Sequence, residues 1–196
     1  MNTMPPRVVV LAGINGAGKT TASQDLLTRV LRIPTFVNAD AIARGLNGLN
    51  PETEAYRAGR IMLERLNLLA ERRESVAFET TLAARTYASW LGELRIAGYE
   101  VYLFYYWLES VDLAITRVAA RVRSGGHSVP EHTIRQRYSR SVQNFFELYR
   151  PLADVWEVSE NSFDEKRLIG CGFGDFDTTV VDAKRWDAFE RSQNHG

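Results

Sequence analysis

Short apolar runs alternate with longer amphipathic stretches along this chain. Arg7 to Ala12 is rich in β-branched residues and ends at glycines, the pattern of a short buried strand. From Lys19 to Leu31, the residues Ala22, Leu26, Leu27, Val30 and Leu31 recur at helical spacing. Thr35 to Asn38 reads as a second strand, with Asp40 just past its carboxyl end. Asn50-Pro51-Glu52 has the make-up of a helix start: a capping side chain, a proline in the first turn, and acids at the positive helix end. The helix that follows places Tyr56, Met62, Leu63, Leu66, Leu69 and Ala70 on one face. Ser75 to Phe78 is a third strand, Thr86 to Ala97 a helix stopped by Gly98, and Glu100 to Leu108 a strong central strand. Ser110 is placed to cap a helix whose apolar face is Val111, Ala114, Ile115, Val118 and Val122. After a Gly-Gly break, Glu131 to Tyr149 is helical with Ile134, Tyr138, Phe145 and Tyr149 inward. Val155 to Val158 is a fifth strand, two further short strands fall between Leu168 and Val181, and a final helix begins near Ala183.

Short strands alternating with helices imply βαβ units and a parallel sheet covered on both faces. The expected fold is three-layer α/β, with a mostly parallel sheet of five or slightly more strands. No linker divides the 196 residues, so they read as one domain, large enough to bury roughly 70% of its unfolded surface. A helical lid is expected at about 121–137 and a C-terminal extension at about 163–196.

Lys and Arg equal Asp and Glu at 24 each, which leaves no overall basic field to recruit nucleic acid or an anionic membrane. The longest apolar run, Val101 to Leu108, falls far short of the ~20 residues that span a bilayer. A single cysteine, Cys171, excludes an internal disulfide and fits a reducing cytoplasm. The arginines are unevenly placed: seven lie between Arg117 and Arg150, with no lysine among them.

Gly13-Ile14-Asn15-Gly16-Ala17-Gly18-Lys19-Thr20 matches G-x-x-x-x-G-K-[ST] in full, after a strand and at the opening of a helix. Glycines let successive backbone N–H groups of such a loop converge on an anion, and the helix dipole adds to the attraction. Gly13, Asn15, Gly16, Ala17, Gly18, Lys19, Thr20 and Thr21 are therefore the expected nucleotide-binding set, with Lys19 on the β- and γ-phosphates of ATP and the Thr20 hydroxyl on Mg²⁺. The bland alternative is a glycine-rich turn with an exposed lysine.

Carboxylates end the second and third strands, where open parallel sheets bind ligands. Asp40 either takes a proton from a substrate hydroxyl or caps the helix that begins at Ala41. Glu79 can hold Mg²⁺ through water, accept hydrogen bonds from substrate, or be an exposed loop acid; Thr81 points to its side and Thr80 away. Arg117 and Arg121 share one helix face, and Arg135, Arg137 and Arg140 lie on the next helix, the spacing of a lid that brings arginine to a moving phosphoryl group. His127 in the hinge is either a loop residue or a catalyst. The chain has no Asn/Thr-Lys-x-Asp element for guanine and no room for the extra helical domain of a motor ATPase.

These residues together resemble the zeta-toxin-like P-loop kinases from Val8 to about Ser162. The resemblance is carried by Gly13 to Thr21, Asn38-Ala39-Asp40, Phe78 to Leu82, the block Arg121 to Pro130 with Arg137 to Ser141, and Asn144. It implies the strand order 2-3-1-4-5, an ATP-dependent kinase with Asp40 as general base, Lys19 on the phosphates, Glu79 and Thr81 toward the substrate, and Arg121 and Arg137 as lid arginines. Familiar members phosphorylate the 3′-hydroxyl of UDP-N-acetylglucosamine and are silenced by a small antitoxin. The Gly-Gly-His-Ser-Val-Pro lid departs from the toxin form and resembles a stand-alone branch. A kinase for a nucleoside, antibiotic or other metabolite, and a nucleotide-binding regulator with little turnover, are the alternative functions.

Overall fold

The computed structural model describes residues 4–21, 26–126, 128–163, 165–174 and 177–194. Its sheet has seven strands: β1 (Arg7–Ala12), β2 (Phe36–Val37), β3 (Val76–Thr80), β4 (Glu100–Trp107), β5 (Val155–Glu160), β6 (Arg167–Phe173) and β7 (Asp177–Val180). They lie in the order β2-β3-β1-β4-β5-β6-β7. The first five are parallel, in the expected 2-3-1-4-5 arrangement, and the last two are antiparallel additions at one edge. The helices are α1 (Ala39–Leu46), α2 (Ala55–Glu71), α3 (Thr86–Ile96), α4 (Val111–Arg123), α5 (Glu131–Asn144) and α6 (Ala183–Arg191). This is the α/β P-loop kinase-like fold. Among the described residues, no helix is long and apolar enough to cross a membrane.

The central strand explains its own sequence. Val8, Val10 and Ala12 of β1 enter one core and Val9 and Leu11 the other, so a strand covered on both faces reads as an unbroken apolar run. On the first face lie Met62, Leu66 and Leu69 of α2, Trp90 and Leu91 of α3, and Trp186 and Phe189 of α6. On the second lie Leu27, Ala114 and Val118 of α4, and Ile134 and Tyr138 of α5. Helix α5 serves both cores, because Val142 and the following Phe145 join the first. The crossing is pinned by the Tyr138 hydroxyl donating to Leu108 O at 2.7 Å and by the 2.7 Å bond between Tyr105 and Ser141.

Several expectations change. The described part of the stretch expected to be helical after the glycine loop includes a wide turn over Leu26–Val30, with Leu31 N donating to Leu26 O at 2.9 Å. The slip of phase turns Val30 outward to 69% exposure while Leu27 stays buried; Ala22 lies outside the described residues. Tyr56 leaves the apolar face of α2 and is 82% exposed, because the chain enters that helix through a 3-10 turn, Pro51–Glu54. Asn50 makes no side-chain cap there. Strand β3 runs on through Glu79 to Thr80.

Gly170 and Gly172 owe their place to close packing. A Cβ on Gly170 would lie 2.5 Å from the Trp186 ring, and one on Gly172 would lie 2.6 Å from Trp156 and against Asp177 O. The two indoles join Phe145, Phe146 and Phe189 in an aromatic cluster under the added strands. Gly172→Ala is expected to cost about 2–3 kcal/mol of folding stability, since neither backbone nor indole has room to give. Urea unfolding checks it; an unchanged midpoint would show that β6 and β7 shift freely.

Candidate functional site

The carboxyl ends of β1, β2 and β3 open into a cavity of about 580 Å³. Asn15, Lys19, Asp40, Glu79, Thr81 and Arg137 all line it, so the structure gathers six of the expected site residues from four separate segments. Thr80 lines it too, against the expected alternation, because the chain bends just after β3 at Leu82, whose φ is +57°. That bend is tied from the far side: the Asn144 amide donates to Leu82 O at 2.6 Å and the Tyr149 hydroxyl to Ala84 O at 2.6 Å.

Lys19 is 6% exposed, its ammonium donating to Ile14 O at 2.9 Å and standing 3.5 Å from Glu79 Oε1. Burial pushes its pKa down, and the charges of Glu79 and Asp40 offset part of that effect. A cation held in a dry loop beside two carboxylates is ready to exchange its partners for an incoming polyanion.

The two carboxylates have different surroundings. Glu79 is engaged: its Oε2 accepts from the Thr20 hydroxyl at 2.7 Å and from the Asn38 amide at 3.0 Å. The Asp40 carboxylate accepts no hydrogen bond from any described side chain, yet its charge is felt by both Lys19 and Arg137. Nor does it cap the helix. Asn38 does, its Oδ1 accepting from Asp40 N at 2.8 Å and Ala41 N at 3.2 Å. Asp40 therefore sits in the first turn of α1 with its carboxylate open to the cavity.

The arginines differ in their surroundings. Arg137 is partly buried and donates to Asn15 Oδ1 at 3.1 Å; burial lowers its pKa and Asp40 opposes that. Arg121 is exposed at the end of α4, and its charge is felt at Lys19. Arg135 pairs with Glu131 and Asp112 at 2.9 Å each, in solvent and outside the cavity. Arg117 directs its guanidinium to backbone carbonyls, Asn161 O at 2.6 Å and Ser162 O at 2.9 Å. His127 lies outside the described residues. Gly13, Gly16, Ala17 and Gly18 form the loop itself, and Thr20 and Thr21 are exposed on the helical turn 19–21.

Some of the cavity went unread in the sequence. Tyr56, Gly59 and Arg60 of α2 and Tyr87 of α3 form its outer wall. Asn38 had a readable signal, an asparagine at the junction of strand and helix. Gly59, Arg60 and Tyr87 had none, because no motif surrounds them in the chain, and Tyr56 reads as part of the apolar face of α2.

Residues 8–142 match the AAA_33 family, described as an AAA domain. An uncharacterized protein of Haemophilus influenzae is 28% identical over 138 residues, covering 69% of this chain and 94% of that protein. The AvrRxo1-ORF1:-ORF2 structure with ATP superposes with a TM-score of 0.77 at 15% identity, covering 96% of this chain and 64% of that one. This chain thus spans just under two thirds of that larger protein. The PezAT chromosomal toxin-antitoxin system of Streptococcus pneumoniae gives a TM-score of 0.62 at 15% identity, over 99% of this chain and 88% of its counterpart. At such identities the two structures speak for the fold.

Proposed function

Because this chain belongs to the AAA_33 family, we propose that it is an ATP-dependent kinase of the zeta-toxin type, moving the γ-phosphate of ATP to a hydroxyl of a small molecule. The observation that carries this reading is the open Asp40 carboxylate in the same cavity as Lys19 and Arg137. A hydrolase needs only a place for water; a carboxylate facing a cavity of about 580 Å³ leaves room for a substrate with its own bulk.

Each residue then has a task. The loop Gly13–Lys19 holds the phosphates, and Lys19 leaves Ile14 O and Glu79 for phosphate oxygens. Asp40 accepts the proton as the acceptor oxygen forms its bond to the γ-phosphorus and the bond from that phosphorus to the ADP oxygen breaks. Arg137 and Arg121 meet the charge spread over the moving group. Thr20 Oγ1 and Glu79, hard oxygens already brought together at 2.7 Å, suit Mg²⁺, which would neutralise phosphate charge. Thr81, at the mouth of β3, orients the acceptor. UDP-N-acetylglucosamine is the first acceptor to try, and an inhibitory protein partner belongs to the same reading, given the toxin-antitoxin system among the structural neighbours.

The test is to incubate the protein with Mg-ATP and UDP-N-acetylglucosamine, and in parallel with a low-molecular-weight metabolite extract. Mass spectrometry is expected to show the sugar nucleotide gaining one phosphoryl group. Transfer only to another hydroxyl compound keeps the kinase and replaces the acceptor. ADP release no faster than in buffer, with no phosphorylated product in either mixture, overturns the kinase.

A further inference from the structure

The phosphate loop is backed by a plate of residues that the proposed chemistry does not use. Behind Gly16 stands α4: a Cβ there would lie 2.9 Å from Ala114 O and 3.4 Å from the Arg117 Cβ. Behind Gly18 stands Asn161: a Cβ there would lie 2.5 Å from its Nδ2. That same Nδ2 donates to Ala17 O at 2.8 Å. Asn161 is in turn fixed from two sides, its N donating to Trp107 O at 2.8 Å and its O accepting from Arg117 at 2.6 Å. Arg117 also takes Ser162 O at 2.9 Å, so one guanidinium fork clamps two consecutive carbonyls.

We infer that Arg117 and Asn161 are positioning residues for the phosphate loop, with Arg117 acting through Asn161. The Ala17–Gly18 peptide has two faces. When its carbonyl is held by Asn161 on the outside, its N–H, on Gly18, points inward to the anion concavity. A released carbonyl lets that peptide rotate, and one donor of the concavity is lost. The fixed direction of backbone donors is what lets such a loop bind polyphosphate without reorganising. Neither residue needs to touch the nucleotide, and the effect belongs to the phosphates rather than the base. This inference rests on the proposal that the loop binds ATP.

The test uses two probes, ATP and inorganic tripolyphosphate, titrated into wild-type protein, Asn161→Ala, Arg117→Lys and the double variant by calorimetry. Asn161→Ala, which changes no charge, is expected to weaken both probes by about tenfold, to the same extent at low and high salt. Arg117→Lys keeps the charge but loses the fork, and is expected to give a smaller loss of the same kind. Because the arginine acts through the asparagine side chain, the double variant should lose no more than Asn161→Ala alone. Melting temperatures establish that each variant is folded; should Arg117→Lys unfold, the parallel, salt-independent loss in Asn161→Ala decides alone. Weaker ATP with unchanged tripolyphosphate would assign these residues to the base and overturn the inference. So would unchanged affinity for both probes, or an additive double variant. Wild-type protein that takes up neither probe overturns the nucleotide reading together with this one.

Discussion

Asp40→Asn is expected to lower the rate of phosphoryl transfer by about 10²–10⁴-fold while the affinity for ATP stays close to that of the wild type. The substitution is nearly isosteric and removes only the capacity to take a proton. The local structure tolerates it, because the start of α1 depends on Asn38 rather than on Asp40. The lost acid at a helix N-terminus costs only about 0.3–1 kcal/mol. Single-turnover kinetics with saturating ATP, alongside nucleotide titration, separate the chemical step from binding. Undiminished transfer would remove Asp40 as the general base. Glu79→Gln should behave differently, since Glu79 already ties Thr20 and Lys19 of the loop to Asn38 at the start of α1, so its loss should fall on nucleotide and Mg²⁺ affinity as well as on rate.

Arg137→Ala is expected to cost on the order of 10³-fold in kcat, the lower end of what an inserted arginine contributes to phosphoryl transfer. Its guanidinium is partly buried, is steadied by Asn15 at 3.1 Å, and lines the cavity shared by Lys19 and Asp40. Arg137→Lys should recover part of the rate, because a point charge replaces a planar fork. Arg135→Ala is the control: two residues away, its partners are Glu131 and Asp112 in solvent, and its removal should leave kcat unchanged. Equal losses at 135 and 137 would mean that the helix contributes only general positive charge.

Those contrasts also mark where the sequence could be read. The glycine loop, β1 and Asp40 were legible because each depends on neighbours in the chain: a run of apolar residues, a fixed spacing, a strand followed by a polar turn. The order of the first five strands came from resemblance, and the structure bears it out. The two added strands were anticipated as short segments, but their packing was not. Whether Gly172 is a turn or a seat for Trp156 depends on an indole brought in from a different strand. The same limit applies within the site. Glu79 meets Thr20 across 59 positions and Asn161 meets Ala17 across 144, so residue type alone could not say that Glu79 is engaged and Asp40 open. Tyr56 and Val30 were misplaced for a more local reason, a 3-10 entry and a wide turn that each shift helical phase. By residue type the seven arginines of one stretch look alike, and the resemblance alone singles out Arg121 and Arg137; their partners separate them, with Arg117 on carbonyls, Arg135 on carboxylates and Arg137 in the cavity.

Helix α5 carries Arg137 at its middle and Asn144 as its last residue, and Asn144 grips the bend at Leu82 just beyond Thr81. The two are seven positions apart on the helix, roughly 10 Å of stiff rod. Under the proposed kinase reading, the cation meant for the transferred group and the wall meant for the acceptor are thereby set at a fixed gauge. Tilting the rod moves both together, and neither can be adjusted without the other. On that reading acceptors would be sorted by reach: a hydroxyl held at the wrong depth from the Thr81 wall would arrive out of line with the arginine, however well the rest of the molecule is held.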